Sequence, residues 1–432
     1  LFHQLQTAQL GGLFLLIWRK PMNSDITRDP TPETATEPGA STNAVHAGSS
    51  RERPYHSLID PVVQTATYTF QSSSDLQEFM EAKMWGRQKG RVEYGRYGNP
   101  TVRAVENRLA ALENAQSAVL FGSGMAALTT VMLTVLSAGS HMVITDDCYR
   151  RTRQFSLSFL SRLGIDCTIV PAADYAALEA AIEPGRTRLL VSESPTNPYL
   201  RCLDLQRFAK IARKHRVKTL VDATFATPFN VRPLDYGIDL VVHSGTKYLA
   251  GHNDVMAGVV LGETGLVESF RAALGMLGAV CDPGSAALLL RGLKTAGLRI
   301  DRHNKNGQAV AEFLAGHPKV GQVWYPGLAS HPEHALAQRQ MRGFGGVVSF
   351  RVGSSLAEAC ELIDAVEIPQ IAASLGGTES LIEPVAVMSY SDLSSAERLD
   401  IGIHDNLVRL ACGIEDSRDL IRDLEQALSQ LD

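Results

Sequence analysis

The stretch Val241-Val242-His243-Ser244-Gly245-Thr246-Lys247-Tyr248 decides how this chain is read. It opens apolar and β-branched, as a strand buried on both faces of a parallel sheet does. It then breaks into hydroxyl side chains, a glycine and a lysine. A lysine just past a strand's carboxyl end stands at the mouth of an α/β sheet, where ligands collect. Ser244 and Thr246 can hold a phosphate, and the Lys247 amine can join an aldehyde. A solvent-exposed loop lysine satisfies the octapeptide equally well, so the remaining chain must decide.

The chain has 432 residues, enough for two domains with ample core. It is 45% hydrophobic and 20% charged, ordinary for a soluble globular protein. A net charge of −5 with both signs mixed leaves no footprint for nucleic acid or a membrane surface. Small-molecule chemistry is the expectation. Cys148, Cys167, Cys202, Cys281, Cys360 and Cys412 are scattered without a CxxC pair, as for reduced thiols in a cytoplasmic enzyme. Met22 reads as a plausible start. The apolar run Leu13–Trp18 is too short to span a membrane, and its charges follow it, the wrong side for a secretory signal. Residues 1–41 are expected to be upstream translation or a disordered tail, given the Thr, Pro, Glu and Asp between Asn23 and Ser41.

Residues 42–92 lack a βαβ rhythm and are expected to form an N-terminal arm contacting a neighbouring subunit. Pro61–Tyr68 is β-rich and extended, suiting either an arm on a neighbouring subunit or an edge strand. In Tyr94-Gly95-Arg96-Tyr97-Gly98-Asn99-Pro100-Thr101, Asn99 can cap a helix whose first turn accepts Pro100. Two tyrosines and two glycines around Arg96 could offer a cation and phenols, but taken alone the segment reads as a capped turn with a surface arginine. Phe121-Gly122-Ser123-Gly124-Met125-Ala126-Ala127 is a glycine turn feeding a helix N-terminus, a phosphate-binding arrangement. Close helix packing would explain its glycines as well. It completes neither GxGxxG, since residue 127 is alanine, nor a P-loop.

Apolar strands at 141–145, 165–170, 189–192, 217–221, 240–243 and 256–261 alternate with helical stretches such as 175–182 and 205–215. The fold class expected is therefore α/β, with a doubly wound, mostly parallel sheet. Residues 93–300 form this domain. A long helical stretch over 285–313 leads into residues 301–432, which form a smaller C-terminal α/β domain with strands at 347–352 and 407–411 and a closing helix at 420–428. His331 and His334 lack partners for a metal, and no metal is expected.

Tyr149, Asn197, Asp222 and Ser244–Lys247 each fall at or just past a strand's carboxyl end, and so share one rim. Catalysis with pyridoxal phosphate (PLP) needs an amine, a carboxylate for the pyridine nitrogen, a phosphate cup, a ring stacker and a carboxylate grip. Lys247, Asp222, the Gly124 and Met125 N–H groups with Ser244 and Thr246, Tyr149, and Arg409 can fill these roles in that order. Asp222 alone reads equally as a capping residue, and Arg409 alone as a salt-bridge partner.

Together the segments YGRYGNPT (94–101), FGSGMAA (121–127), ESPTNP (193–198), VDATFATP (221–228), HSGTKYLAGHND (243–254), RGLKT (291–295), SLGGTESLIEP (374–384) and NLVRLACGIED (406–416) resemble the Cys/Met metabolism (transsulfuration) family of PLP enzymes, fold type I. The resemblance implies that Lys247 is the Schiff-base lysine, Asp222 the pyridinium partner and Tyr149 the stacking tyrosine. It implies a phosphate cup of Gly124, Met125, Ser244 and Thr246, with Tyr94 and Arg96 reaching in from a neighbouring subunit. Arg409, assisted by Asn197 and Ser374, would hold the substrate carboxylate. A homotetramer built from dimers with shared active sites is implied too.

Ala372–Gly377, Met388-Ser389-Tyr390 and His404–Arg409 look most like the cystathionine γ-synthases. Such enzymes replace the activated γ-oxygen of an O-substituted homoserine with cysteine, in methionine biosynthesis. Some members carry a glutamate before the serine of SLGG, where Ala373 stands here, which leaves nucleophile and leaving group open. Cystathionine or methionine lyase activity, O-acylhomoserine sulfhydrylase activity and an inactive binding relative are the alternatives.

Overall fold

The computed structural model describes residues 38–49, 52–87 and 90–431. Among these, seven strands make the larger sheet: β1 (Ser117–Phe121), β2 (His141–Thr145), β3 (Asp166–Val170), β4 (Thr187–Glu193), β5 (Lys218–Asp222), β6 (Leu240–Ser244) and β7 (Gly258–Gly262). Their order is β1-β7-β6-β5-β4-β2-β3. The β2–β6 ladders are parallel, whereas β7 runs antiparallel to both β1 and β6. The expected mostly parallel sheet is therefore present. Its one reversal has a physical cause: residues 245–257 contain no helix to carry the chain back across the sheet, so β7 returns beside β6.

The strands read as continuous apolar runs because both faces are covered. Leu189, Val191, Leu240 and Val242 pack towards helices 124–135 and 264–277. Leu190, Val221 and Val241, on the opposite face, pack towards helices 175–180 and 205–215. Each such fully buried side chain contributes about 1.5–3 kcal/mol of transfer free energy. Helix Leu205–His215 shows how the sequence selects its face: Leu205, Phe208, Ala209, Ile211 and Ala212 are buried, and Asp204 caps it by accepting from Arg207 N.

The second sheet joins β8 (Val320–Trp324), β9 (Val347–Val352), β10 (Gln370–Ile371), β11 (Leu381–Pro384) and β12 (Leu407–Ala411) in the order β10-β11-β12-β9-β8. Only β10 and β11 pair in parallel. Helices 296–316, 356–365 and 417–429 contribute to its core.

Several expectations are amended. The helical stretch at 285–313 is two helices, Pro283–Leu293 and Ala296–Gly316, separated at Lys294-Thr295. Pro61–Tyr68 is not an edge strand; it runs outside regular structure, with one isolated bridge from Thr67 to Tyr94. Its backbone is instead taken up by the next helix, since Val63 N donates to Thr101 Oγ1 and Val63 O accepts from Asn99 Nδ2. Ala40 and Ser41, placed with the tail by sequence, begin a docked helix, Ala40–His46. Arg108, 1% exposed, donates to the carbonyls of Ala44, Val45 and Ala47 and fastens that helix to the core. Residues 1–37, with Met22 and Leu13–Trp18, lie outside the described residues.

Candidate active site

Because β2, β4, β5 and β6 run in parallel, their carboxyl ends share one edge. That edge carries Tyr149 after β2, Asn197 after β4, Asp222 at the end of β5 and Ser244–Lys247 at the end of β6.

Lys247 Nζ donates to Ser374 Oγ at 2.6 Å, which ties the rim to the loop between β10 and β11. Burial, with the Arg409 guanidinium nearby and only partly offset by Glu383, lowers the lysine's pKa from 10.5 to about 8. The loop carrying Ser374 is pressed down on this segment: Ser374 sits at φ +99°, and a Cβ at Gly376 would lie 2.6 Å from Tyr248 N. Such backbone is strained for a serine and persists only where surrounding packing enforces it.

Arg409 lies on β12, 6% exposed. Its Nη1 donates to Asn197 Oδ1 and its Nη2 to Ser374 O, both at 3.1 Å. Thus Lys247, Ser374, Arg409 and Asn197 form one contiguous group drawn from both sheets. The salt-bridge reading of Arg409 also holds: Nη2 lies 3.0 Å from Glu383 Oε1. Nε has no hydrogen-bond partner among the described residues.

Asp222 accepts from Thr224 N at 3.0 Å and from Thr224 Oγ1 at 2.5 Å, both on Oδ1. Burial raises its pKa against those two hydrogen bonds. Thr224 Oγ1 also accepts from Ser244 N at 2.8 Å, which binds the ends of β5 and β6 together.

Helix Gly124–Val135 begins beside Ser244, capped by the Ser123 side chain, which accepts from Ala126 N. A Cβ on Gly124 would lie 3.1 Å from Ser244 Cβ, so glycine lets the helix N-terminus approach the strand end this closely. Thr246 Oγ1 accepts from Ala257 N and donates to Ala257 O, so this hydroxyl is spent within the 245–257 return.

Tyr149 is 42% exposed at the rim, while its backbone N–H donates to Glu193 Oε2 at 2.7 Å. Tyr94 and Arg96 do not join this group within the chain. Arg96 donates to Gly275 O and lies over the rings of Tyr97 (4.9 Å) and Tyr94 (5.7 Å).

Sequence reasoning passed over Glu193, Glu383, Thr224 and Arg150. Glu193 opens the quoted ESPTNP, ends β4 and stands opposite Asp222 across the ladder. Its pKa is pushed up by burial and then by the Asp222 charge. Arg150 donates to Ser389 O and Asp392, linking the segment after Tyr149 to the C-terminal half. Only Glu193 carried a readable signal, being the residue before the rim loop that holds Asn197.

No helix among the described residues is long and apolar enough to cross a membrane. Residues 41–429 match the family model described as Cys/Met metabolism PLP-dependent enzyme. The chain is 46% identical over 389 residues to cystathionine gamma-synthase 1, chloroplastic, of Arabidopsis thaliana, covering 90% of this chain and 68% of that protein. It is 42% identical over 393 residues to L-methionine gamma-lyase of Pseudomonas putida, covering 90% and 97%. The crystal structure of metB from Corynebacterium glutamicum superposes with a TM-score of 0.84 at 36% identity, covering 91% of this chain and 98% of that one. With a family match over residues 41–429 and a shared overall fold, the chain belongs to the Cys/Met metabolism family of PLP-dependent enzymes.

Proposed function

We propose that the enzyme replaces the activated γ-oxygen of an O-substituted homoserine with cysteine, giving cystathionine. The observation that carries an amino-acid site is the contiguous Lys247–Ser374–Arg409–Asn197 group, an amine of lowered basicity beside a carboxylate-binding guanidinium. The choice of reaction is supported by relatives named cystathionine gamma-synthase at 41–46% identity, including that of Mycobacterium leprae.

The rim fits PLP, which when bound supplies an aldehyde and an electron sink for negative charge on the substrate's carbons. Gly124 and Met125 N–H groups and the Ser244 hydroxyl would hold the phosphate, with Thr246 contributing only by giving up a bond to Ala257. Asp222, both of whose accepted hydrogen bonds fall on Oδ1, would hold the pyridine nitrogen through Oδ2. Tyr149 would cover the ring face, steadied by Glu193. Arg409 binds the substrate's α-carboxylate, and Asn197 fixes the guanidinium plane. Lys247 takes the Cα proton at Nζ, since an amine with pKa about 8 is partly neutral near pH 7 and still basic enough to accept it.

Tyr94 and Arg96 would complete the phosphate site of a neighbouring subunit, in a homotetramer built from dimers. The exposed apolar run around Tyr55 (92%) and Leu58 (88%) supports a second copy packing there. Six unpaired thiols suit a reducing compartment, and the cytoplasm is the one proposed.

A lytic reading is favoured by the similarity to L-methionine gamma-lyase. The test is turnover with O-succinyl-, O-acetyl- and O-phosphohomoserine, each with cysteine or sulfide, against cystathionine and methionine alone. Cystathionine formed fastest from one ester with cysteine is expected. Keto acid released faster from cystathionine or methionine would overturn the synthase reading.

A further inference from the structure

Glu383 takes no part in the chemistry above, yet it is built into the same group. On the antiparallel β11–β12 ladder it stands directly opposite Arg409. Its Oε1 lies 3.0 Å from Arg409 Nη2, with the two side chains only 2% and 7% exposed. Oε2 has no hydrogen-bond partner among the described residues. From Arg409 the contacts run to Ser374 O, and from Ser374 Oγ to Lys247 Nζ. The charged groups acting on Lys247 are Arg409 from β12 and Glu383 from β11, which pull its basicity in opposite directions. Ser374, from the loop between β10 and β11, is the uncharged neighbour.

Two cationic side chains in one buried pocket repel each other strongly. Unopposed, Arg409 would drive the proton off Lys247 and grip a carboxylate too tightly for ready release. Resting on the reading in which Lys247 moves the proton and Arg409 binds the substrate carboxylate, we propose that Glu383 is a positioning residue that shares one negative charge between them. It weakens the guanidinium's hold on the α-carboxylate and keeps Lys247 basic.

Holoenzyme carrying Glu383→Gln tests this, because the amide keeps an acceptor opposite Arg409 Nη2 and removes only the charge. Two readouts are independent of turnover. The pH midpoint of the absorbance band of the lysine-linked cofactor should fall by about 0.5–1 pH unit. The Kd for propionate, a carboxylate without an amine, should fall about 5- to 10-fold. A carboxylate that merely props Arg409 in place predicts weaker propionate binding, and that result, or an unmoved midpoint, overturns the proposal. Where Glu383→Gln does not fold, Glu383→Asp draws the charge back by one carbon. It should move both readouts the same way by less, and the opposite sense overturns the proposal. If the wild-type band survives in Lys247→Ala, the underlying reading of Lys247 fails. A normal band indifferent to Glu383 defeats this inference alone.

Discussion

Mixing cofactor-free protein with PLP across a pH series tests the proposed role of Lys247 as the amine that captures it. An amine attacks an aldehyde only when neutral. Burial and the Arg409 charge bring this lysine's pKa from 10.5 to about 8. At pH 7 roughly one-tenth of the amine is then neutral, against about 0.03% for an unperturbed lysine, a gain of roughly 300-fold. The capture rate, followed by the lysine-linked absorbance, should rise about tenfold per pH unit below 8 and flatten above it. Stability carries the same signature. The folded pKa lies below the unfolded one, so above pH 10.5 neither state is protonated and nothing is lost. As the pH falls from 10.5 towards 8, the unfolded chain takes up a proton that the folded chain refuses. About 3 kcal/mol of stability is lost over that window and no more below it, measurable by urea unfolding of the cofactor-free protein. A capture rate still climbing about tenfold per unit at pH 9 would refute the lowered basicity.

Lys247→Ala should keep its far-ultraviolet circular dichroism while losing the lysine-linked band and all turnover; normal turnover would end its assignment. Arg96→Ala should weaken PLP binding, and mixing it with Lys247→Ala should restore about a quarter of wild-type activity. That figure follows because half the exchanged dimers are mixed, and one of each mixed pair's two sites regains both groups. No recovery after exchange is verified would count against shared sites. Gly258→Ala would bring a methyl within 2.2–2.6 Å of Ser123 O, Ser123 C and Gly124 Cα. It should weaken cofactor affinity at least tenfold, by equilibrium dialysis, with a stability loss of about 1–3 kcal/mol. Arg108→Met should strand the carbonyls of Ala44, Val45 and Ala47 and lower stability by about 3 kcal/mol, read from the urea midpoint.

Most of the large sheet was legible because its strands are buried on both faces and read as unbroken apolar runs. β1 was not recognised: Ser117–Phe121 is apolar, but it follows a helix and runs straight into the glycine turn, so it was absorbed into that turn. The direction of β7 left no trace, since antiparallel and parallel strands between covered faces share one composition. β10 and β11 were too short to show a period. At the site, residues that end strands declared themselves by breaking an apolar run, as Asp222 and Ser244 do. Glu383 did not, because it lies inside Leu381–Pro384 and its reason for being buried is Arg409, on another strand. Tyr94 and Arg96 make local contacts but do not reach the rim within one chain, and only the family resemblance gives them a role there.

The reversal of β7 bears on how the pocket assembles. β6 and β7 pair across the short 245–257 return, so the segment bearing Lys247 closes a local loop at small entropic expense. β1 pairs with β7 across all the intervening chain, the longest-range ladder among the described strands. Ser244 belongs to the local half and Gly124 follows β1, so the two sides of the proposed phosphate cup meet only when that distant pairing forms. A phosphate bound there would bridge locally paired and distantly paired structure. Phosphate-bearing cofactor should thus favour the final docking of β1, coupling maturation of the chain to the supply of its cofactor.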